Sequence, residues 1–309
     1  MKIFLTGGSG MVGKNILEHP SAKKYEIISP NRNQLNLLNR LEVKNFLIKE
    51  KPDLIIHAAG KVGGIQSNIE NSISFLSENV EIGLNVILMA NLLEIPNLLN
   101  LASSCMYPKN ATNPLKESMI LEGKLEPTNE GYALSKILST KICEYISEND
   151  KNKNYKTIIP CNLYGRHDNF NLHNSHLISA IIRKIHEAKK NKKNVVDIWG
   201  DGNARREFMN VRDLADFIFF ALTKIEKLPQ NINIGIGHDY SIKDYYYAVA
   251  KVLNYDGKFQ YDLSKPVGMH QKLVDISLLK DFGWSHKISL TSGIEETFKF
   301  FIEDIESGI

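Results

Sequence analysis

The chain has 309 residues, 43% of them hydrophobic and 24% charged, which is typical of a globular protein with two packed domains and excludes disorder. Its net charge is only +3, and no basic stripe carries interleaved aromatic residues, so we expect no nucleic-acid partner. Cys105, Cys143 and Cys161 are odd in number and lack metal-ligand spacing, which argues against a disulfide framework and a metal site.

The N-terminus begins a strand almost at once, because residues 2–6 are Lys-Ile-Phe-Leu-Thr and run directly into glycines. A signal peptide would instead begin with a basic segment followed by a long apolar segment. No apolar run in the sequence approaches the ~20 residues that a membrane-spanning helix needs. We therefore expect a cytoplasmic protein that does not associate with a membrane.

The glycines that follow lie in the sequence Gly-Gly-Ser-Gly-Met-Val-Gly, in which Gly7, Gly10 and Gly13 are spaced three residues apart. Between a strand and a helix, this spacing permits a tight turn, close approach of a pyrophosphate and close packing of the helix on the strand. The N-terminus of the helix also favours an anion. The motif therefore predicts a dinucleotide-binding loop.

The first half of the chain alternates short apolar runs with segments of helical periodicity. Short buried strands that alternate with helices are typical of a parallel sheet covered on both faces. We therefore predict an α/β fold with a Rossmann-type, doubly wound parallel sheet. The predicted strands are 2–6, 25–29, 53–58, 97–102 and 156–160, and the predicted helices are 12–18, 40–50, 72–94 and 130–148.

The second predicted strand ends with Ser29-Pro30-Asn31-Arg32 and carries no acidic residue at its end. Sites that prefer NAD place an acidic residue there to bind the ribose hydroxyls, whereas an arginine accommodates a 2′-phosphate. Arg32 therefore favours NADPH over NADH, the alternative being a surface arginine in an ordinary loop.

Tyr132 and Lys136 are four residues apart, on one face of the predicted helix 130–148. An ammonium beside a tyrosine stabilises the phenolate and lowers its pKa, so that the hydroxyl can protonate a ketone oxygen as hydride reaches the carbon. A second donor to that oxygen is expected just after the fourth strand, at Ser103 or Ser104. In this order, and together with the glycine loop, these residues resemble the catalytic constellation of the short-chain dehydrogenases.

The alternation of strands and helices changes after about residue 164. We predict an NADP-binding domain over 1–164 and a smaller α/β domain, mainly for substrate binding, over 165–309. The segment 211–235 is expected to pack back on the first domain, and the cleft between the domains is the expected site. Beyond residue 164, the predicted helices are 175–190, 211–224, 241–254 and 290–305, and the predicted strand is 195–199.

Several longer blocks resemble those of the GDP-L-fucose synthases, a family within the extended short-chain dehydrogenase/reductase superfamily. The resemblance covers essentially the whole chain, from the first strand to Lys272 and Gly283-Trp284. These blocks are far more specific than the glycine loop. They are residues 61–64, 103–109, 125–130, 162–165, 167–170, 174–176 and 206–208.

The resemblance implies an enzyme that epimerises C3 and C5 of a GDP-4-keto-6-deoxy sugar and then reduces C4 with NADPH. It implies Ser103, Tyr132 and Lys136 for reduction, and Cys105 with His176 as the base and acid of epimerisation. Hydrogens beside a ketone are acidic because the carbanion delocalises into an enolate, and a thiolate and an imidazole suit such proton transfers near neutral pH. Without the resemblance, Cys105 is more simply a small buried residue and His176 a hydrogen-bonding residue at a helix start.

The resemblance also implies binding residues. Lys184, Trp199, Arg206 and Lys272 match positions that hold GDP in the family, where cations suit a diphosphate and tryptophan offers an apolar face to base or ribose. Trp199 could equally belong to an interface core, and Ser104 completes the predicted substrate contacts. The predicted NADP(H) contacts are Gly7, Gly10, Met11, Val12, Gly13, Arg32, Ala58, Ala59, Lys136, Asn162, Leu163 and His176.

Three positions near the predicted site depart from the family's pattern. Arg166 replaces a proline in a pocket-lining loop, Gly131 replaces a proline directly before Tyr132, and Ser9 occupies a loop position where close relatives carry arginine. Because arginine changes both the charge and the stiffness of the loop, we expect Arg166 to fit a different sugar, such as a deoxyheptose, or to disturb epimerisation.

Two alternatives to a bifunctional epimerase-reductase remain open. One is a C4 reductase that does not epimerise and acts on a related GDP-4-keto-6-deoxy hexose or heptose. The other is a non-catalytic NADP sensor, against which the presence of Ser103, Tyr132 and Lys136 argues. The resemblance further implies a homodimer formed through the helices 72–94 and 130–148.

Overall fold

The computed structural model of the protein describes residues 1–171, 175–265 and 267–307, so Asn174 of the resembling block 174–176 lies outside the described residues. The strands are β1 (Lys2–Thr6), β2 (Glu26–Ile28), β3 (Leu54–His57), β4 (Asn97–Leu101), β5 (Asn154–Pro160), β6 (Asn162–Tyr164), β7 (Val195–Trp199), β8 (Arg205–Arg206), β9 (Phe208–Asn210), β10 (Asn231–Ile234), β11 (Tyr240–Ser241), β12 (Lys258–Asp262) and β13 (Gln271–Lys272). The helices are α1 (Met11–Glu18), α2 (Arg40–Glu50), α3 (Ile65–Glu70), α4 (Ser72–Leu92), α5 (Glu130–Asn149), α6 (Leu177–Lys190), α7 (Val211–Leu222), α8 (Ile242–Val252), α9 (Ser277–Asp281) and α10 (Leu290–Ser307).

The central sheet has six parallel strands in the order β2-β1-β3-β4-β5-β10. Side chains alternate across it, because Ile3 and Leu5 enter one apolar core and Phe4 enters the core on the opposite face. The predicted Rossmann-type parallel sheet is therefore confirmed. The chain passes outward from β1 to β2 and then back to β3, which makes the edge beside β1 and β3 the switch point where a ligand crevice is expected.

The segment from α7 to β10 returns to the first part of the fold. Helix α7 packs on α1 and contributes Leu214, Phe217 and Ile218 to the same apolar core as Ile3. Strand β10 then pairs in parallel with β5 and extends the central sheet. Helix α7 and strand β10 thus lie against the first part of the fold, and the division into two domains at residue 164 stays a prediction.

A second apolar core lies in the C-terminal part, among α6, α8, α10 and β7. It includes Ile178, Ile182, Tyr245, Val249 and Ile294, all buried. Two small sheets, β11-β8-β13 and β12-β7, border this core. They place Arg206 and Lys272 next to each other in paired strands.

Helix α4 is the one feature that conflicts with the expectation of no membrane-length apolar segment. Among the described residues, only Ser72–Leu92 is long and apolar enough to cross a bilayer, with a mean hydropathy of 1.3. It packs along α5 and α2, 44% of its apolar window is buried, and its buried residues include Val86, Ile87 and Ala90. These are the contacts of a core helix of the Rossmann fold.

Candidate active site

A cavity of about 540 Å³ opens at the carboxyl ends of the central strands. It lies at the switch point beside β1 and β3 and is closed on its other side by β6 and the start of α6. The predicted catalytic residues that line it are Ser103, Cys105, Tyr132, Lys136 and His176. The predicted NADP(H) contacts that line it are Gly7, Gly10, Met11, Val12, Gly13, Arg32, Ala58, Ala59, Lys136, Asn162, Leu163 and His176.

The glycine loop joins β1 to α1 with very little space around it. A Cβ atom on Gly13 would lie 2.2 Å from the carbonyl oxygen of Gly7, so this helix position accepts only glycine without a shift of the loop. Gly10 precedes α1 as its N-cap residue and supplies no side-chain cap, which leaves the first N–H groups of the helix directed at the cavity. An anionic group is favoured there by these N–H groups and by the helix dipole.

A buried hydrogen-bond chain fixes the loop after β3, where Ala58 and Ala59 line the cavity. Thr6 Oγ1 lies 2.9 Å from His57 Nδ1 and accepts a hydrogen bond from the Ala59 N–H at 3.1 Å. Burial, and then the charge of Lys136, lower the pKa of His57 to about 3. The imidazole is therefore neutral at physiological pH, and its tautomer decides which of the two side chains donates.

Tyr132 and Lys136 project from the first turns of α5 into this cavity. The Lys136 Nζ donates to the Leu101 carbonyl oxygen at 2.9 Å and lies 5.7 Å from the centre of the Tyr132 ring. Ser103 begins a short turn by accepting a hydrogen bond from the Cys105 N–H at 3.3 Å, and its hydroxyl lies close enough to Tyr132 to lower the pKa of the tyrosine. Ser104 is buried and absent from the cavity wall, so of the two serines Ser103 is the one beside the tyrosine.

The charge states of this pair differ from the sequence-based expectation of a lowered tyrosine pKa. Burial, and then the nearby Cys105, raise the pKa of Tyr132, and the hydrogen bond from Ser103 opposes this only in part. Burial also lowers the pKa of Lys136 to about 8. Desolvation wins over the attraction between the two groups because both are enclosed by the cavity wall.

Cys105 is held by donors from two distant parts of the chain. Asn129 Nδ2 lies 3.2 Å from its Sγ, and Lys272 Nζ lies 3.5 Å from the same atom. Lys272, one of the predicted GDP contacts, contacts the thiol in this structure, and its role toward GDP stays a prediction. Asn129 belongs to the resembling block 125–130 but had no predicted role, and its position directly before α5 was the only signal that it would face the cavity.

His176 precedes α6 as its N-cap residue, and its side chain makes no capping hydrogen bond. The carboxylate of Asp168 is nearby, where burial raises its pKa and the charge of His176 and a hydrogen bond from Ser179 oppose the rise. The imidazole is thus free of the helix end and borders the cavity opposite the glycine loop.

The remaining predicted substrate residues, Lys184, Trp199 and Arg206, lie outside the cavity wall, toward the C-terminal part. Arg206 donates to the backbone oxygens of Arg205 at 2.7 Å and Val267 at 3.1 Å. Lys184 Nζ lies 5.3 Å from the centre of the Trp199 ring. Trp199 is 42% exposed in this chain, and whether it contacts GDP or belongs to an interface stays a prediction.

The chain matches the sequence model of the NAD dependent epimerase/dehydratase family over residues 3–235. It belongs to this epimerase/dehydratase family.

Two curated relatives and one solved structure are similar over nearly the whole length. The GDP-L-colitose synthase of Yersinia pseudotuberculosis is 55% identical over 304 residues, which cover 98% of this chain and 99% of the relative. The GDP-L-fucose synthase of Azorhizobium caulinodans is 48% identical over 301 residues, covering 97% and 96%. A GDP-mannoheptose C4 reductase from Campylobacter jejuni, solved with NADP bound, superposes with a TM-score of 0.88 at 30% identity, covering 97% of this chain and 98% of that one.

Arg166 points away from this cavity, and its expected effect on the sugar or on epimerisation stays a prediction. Its guanidinium lies over the Phe300 ring at 5.5 Å, its Nε is 3.6 Å from a Glu18 carboxylate oxygen, and it does not line the cavity. Gly131 has a packing explanation, because a Cβ atom there would lie 2.9 Å from the Ser72 carbonyl oxygen, where α4 begins. Ser9 does line the cavity, as part of the glycine loop.

Glu207 connects the strands that carry Arg206 and Lys272 to the central sheet of the epimerase/dehydratase fold. This fully buried carboxylate accepts from the N–H groups of Ile236 at 2.6 Å, Gly237 at 2.7 Å and Val274 at 2.9 Å. Burial outweighs these hydrogen bonds and raises the pKa of Glu207 to about 7. The folded protein therefore binds a proton that the unfolded chain releases at lower pH.

We expect Glu207→Gln to lower the free energy of unfolding by about 1–3 kcal/mol at pH 5.5, because its amide N–H₂ would face the Val274 N–H. The wild-type carboxyl contributes most to the free energy of unfolding below pH 4.5, which is the pKa of this glutamate in the unfolded chain. That contribution is lost as the pH rises to about 7, its pKa in the folded protein. Urea unfolding at pH 5.5 and 7.5 measures both effects. The exposed Glu303→Gln is the control, and an identical pH slope in wild type and Glu207→Gln would contradict the assignment.

Proposed function

We propose that the protein is an NADPH-dependent epimerase-reductase that converts a GDP-4-keto-6-deoxy sugar to a GDP-6-deoxy sugar. One observation carries the proposal: Ser103, Tyr132 and Lys136 line a single cavity together with Cys105, His176 and a dinucleotide-type glycine loop. The names of the two curated relatives, which are synthases of GDP-linked sugars, support the same substrate class.

The cavity fits an NADP(H) molecule by its shape and donors. The close packing at Gly13 brings backbone N–H groups to the cavity surface, and Arg32 borders it at the end of β2. We propose that the pyrophosphate lies at the start of α1, the 2′-phosphate at Arg32, and the nicotinamide beside Asn162 and Leu163. When bound there, the cofactor supplies a hydride to C4 of the sugar.

In the proposed reduction, the Tyr132 hydroxyl donates its proton to the C4 oxygen. The raised pKa of Tyr132 keeps this proton in place at neutral pH until negative charge develops on the substrate oxygen. Ser103 donates a second hydrogen bond to the same oxygen. Lys136, with its pKa of about 8, is mostly charged at pH 7 and favours the phenolate that remains.

In the proposed epimerisation, Cys105 takes a proton from the carbon beside the ketone and His176 delivers one to the opposite face. The enolate formed between these steps places its charge on the C4 oxygen, where Tyr132 and Ser103 stabilise it. One pair of donors therefore serves both reactions.

For the nucleotide end we propose Arg206, Lys184 and Trp199 as GDP contacts, with Ser104 and Lys272 nearer the sugar.

We also propose a cytoplasmic homodimer built on α4 and α5. Exposed apolar side chains along these helices, namely Ile73, Leu76, Leu134, Leu138 and Tyr145, support such an interface.

The test incubates the protein with NADPH and GDP-4-keto-6-deoxy-mannose in deuterated water and identifies the product by NMR. GDP-L-fucose with deuterium at C3 and C5 supports the proposal. Complete absence of turnover with this hexose overturns it for that sugar.

A C4 reductase without epimerase activity is the second candidate, favoured by the similarity to the Campylobacter jejuni C4 reductase. It predicts a reduced sugar with no deuterium at C3 or C5 in the same experiment.

Cofactor preference gives a separate prediction. Arg32→Ala is expected to raise the KM for NADPH about 10- to 100-fold and to leave the KM for NADH nearly unchanged, because only NADPH carries the 2′-phosphate. Initial rates with each cofactor measure this. Arg40→Ala, an exposed arginine at the start of α2, is the matched control, and equal losses with both cofactors would contradict the assignment.

A further inference from the structure

Asn129 is a cavity residue to which the proposed reaction has given no role. It ends the turn Pro127–Asn129 directly before α5, and its backbone N–H donates to the Glu126 carbonyl oxygen at 3.1 Å. Its Nδ2 lies 3.2 Å from the Cys105 Sγ, within hydrogen-bonding reach of sulfur. Its other polar atom, Oδ1, is buried and accepts no hydrogen bond from any residue that the structure describes.

An unpaired buried acceptor is unusual, because such a group loses its hydration without gaining a partner. The neighbouring donor in the turn is occupied, since Thr128 Oγ1 donates to Glu126 at 3.3 Å. The other donor near the sulfur, the Lys272 ammonium, lies 3.5 Å from Sγ. With its nitrogen directed at Cys105, the carboxamide keeps Oδ1 buried beside the cavity that Asn129 lines, so a ligand that enters the cavity and shifts this side chain can supply the missing donor.

We propose that Asn129 is a positioning residue that bridges Cys105 and the sugar. Its Nδ2 holds the sulfur, and its Oδ1 accepts a hydrogen bond from a sugar hydroxyl beside the carbon that Cys105 deprotonates. The inference has two halves: the sulfur half is the contact of Nδ2 with Cys105, and the hydroxyl half is the contact of Oδ1 with the sugar. The hydroxyl half rests on the proposed function, whereas the sulfur half does not.

The bridge has a defined place in the proton transfer. Cys105 enters this step as a thiolate, having released its own proton to solvent. The C–H bond beside the ketone breaks, its proton bonds to the thiolate Sγ to give a thiol, and its electron pair moves to the C4 oxygen as an enolate. Asn129 neither gains nor loses a proton in this step. Two hydrogen bonds from one planar amide fix the distance between sulfur and substrate, which proton transfer requires.

The same bridge selects among sugars. A substrate with a hydroxyl at that position satisfies the buried Oδ1, whereas a sugar deoxygenated there leaves it unpaired on binding. Sites built to bond a hydroxyl reject analogues that lack it for this reason. We therefore expect Asn129 to determine whether the site accepts a sugar that lacks this hydroxyl.

The sulfur half is tested without any sugar, by iodoacetamide alkylation of Cys105 at pH 7 in the NADP⁺-bound protein, followed by peptide mass spectrometry. Asn129→Ala removes the donor that stabilises a thiolate, so the alkylation rate of Cys105 is expected to fall about 5- to 10-fold. Asn91→Ala is the control, because Asn91 bonds Lys153 outside the cavity. An unchanged rate in Asn129→Ala overturns this half.

The hydroxyl half is tested by calorimetry with GDP-mannose and with GDP, both in the presence of NADP⁺. Asn129→Ala is expected to weaken GDP-mannose about 10-fold and GDP by less than twofold. Asn129→Asp keeps an acceptor of the same shape and loses the donor, so it should retain GDP-mannose affinity and still slow alkylation. Equal losses for GDP and GDP-mannose overturn the hydroxyl contact. A wild-type protein that binds neither ligand overturns the proposed function, and the alkylation result then still decides the sulfur contact.

Discussion

Replacing Tyr132 by phenylalanine is expected to slow C4 reduction about 10²- to 10⁴-fold, the range for loss of a general acid. The change removes only the hydroxyl, so the ring keeps its edge contact with Phe75, whose centroid is 6.5 Å away. Ser103 then remains as the one proposed donor to the C4 oxygen. Exchange of the hydrogens beside the ketone is expected to slow less, because an enolate still retains the Ser103 hydrogen bond. Stopped-flow oxidation of NADPH and deuterium incorporation measure the two steps separately.

The same helix offers a matched control for this prediction. Lys141 and Tyr145 are also four residues apart on α5, and the Lys141 Nζ lies 5.7 Å from the Tyr145 ring centre, as Lys136 does from Tyr132. Tyr145 is 55% exposed and faces away from the cavity, so Tyr145→Phe should change neither step. Unchanged reduction in Tyr132→Phe would show that another group supplies the proton.

The parts of the fold that depend on local sequence could be predicted closely. The predicted helix 130–148 is Glu130–Asn149 in the structure, and the predicted strand 97–102 is Asn97–Leu101. Periodicity and the glycine motif suffice for such elements because neighbouring residues determine them. The carboxyl ends of parallel strands share one edge, so the order of motifs also located the cavity.

Contacts between distant segments could not be read from the sequence. Lys272 reaches Cys105 across 167 residues, and the pairing of β13 with β8 that brings it there involves only two residues from each strand. Strands this short leave almost no periodic signal.

The direction in which a side chain points could not be predicted from the sequence either. Arg166 lies between Gly165 and His167, which both have positive φ values, and its side chain turns toward Glu18.

Burial explains the remaining differences between the sequence-based expectations and the structure, because the burial of a side chain is a property of the assembled fold. The pKa of Tyr132 was expected to fall beside Lys136, and it rises since the cavity wall desolvates both groups. Helix α4 has the mean hydropathy of a membrane span because one side of it contributes residues such as Val86 and Ile87 to the core. Composition gives the polarity of a segment, and only packing decides what covers it.

Replacing Cys105 by serine is expected to reduce deuterium incorporation at C3 and C5 about 10²- to 10⁴-fold. A serine hydroxyl is far harder to deprotonate than a thiol near neutral pH, so the proposed base is lost while the size of the side chain is nearly preserved. C4 reduction should persist and give an unepimerised sugar, since Tyr132 and Ser103 are unchanged. NMR of the product in deuterated water measures incorporation and configuration together. Cys143→Ala, which changes a buried core thiol outside the cavity, is the control.

His176→Asn separates the base from the acid in the same experiment. Cys105 can still remove a proton and, after exchange with solvent, return a deuteron to the same face, so deuterium should enter without inversion. Cys105→Ser should show neither exchange nor inversion, because no enolate forms. If both variants instead lose exchange equally, then His176 takes part in proton removal and the assignment of one acid and one base on opposite faces is wrong. If both variants retain inversion, the proton transfers use groups other than Cys105 and His176.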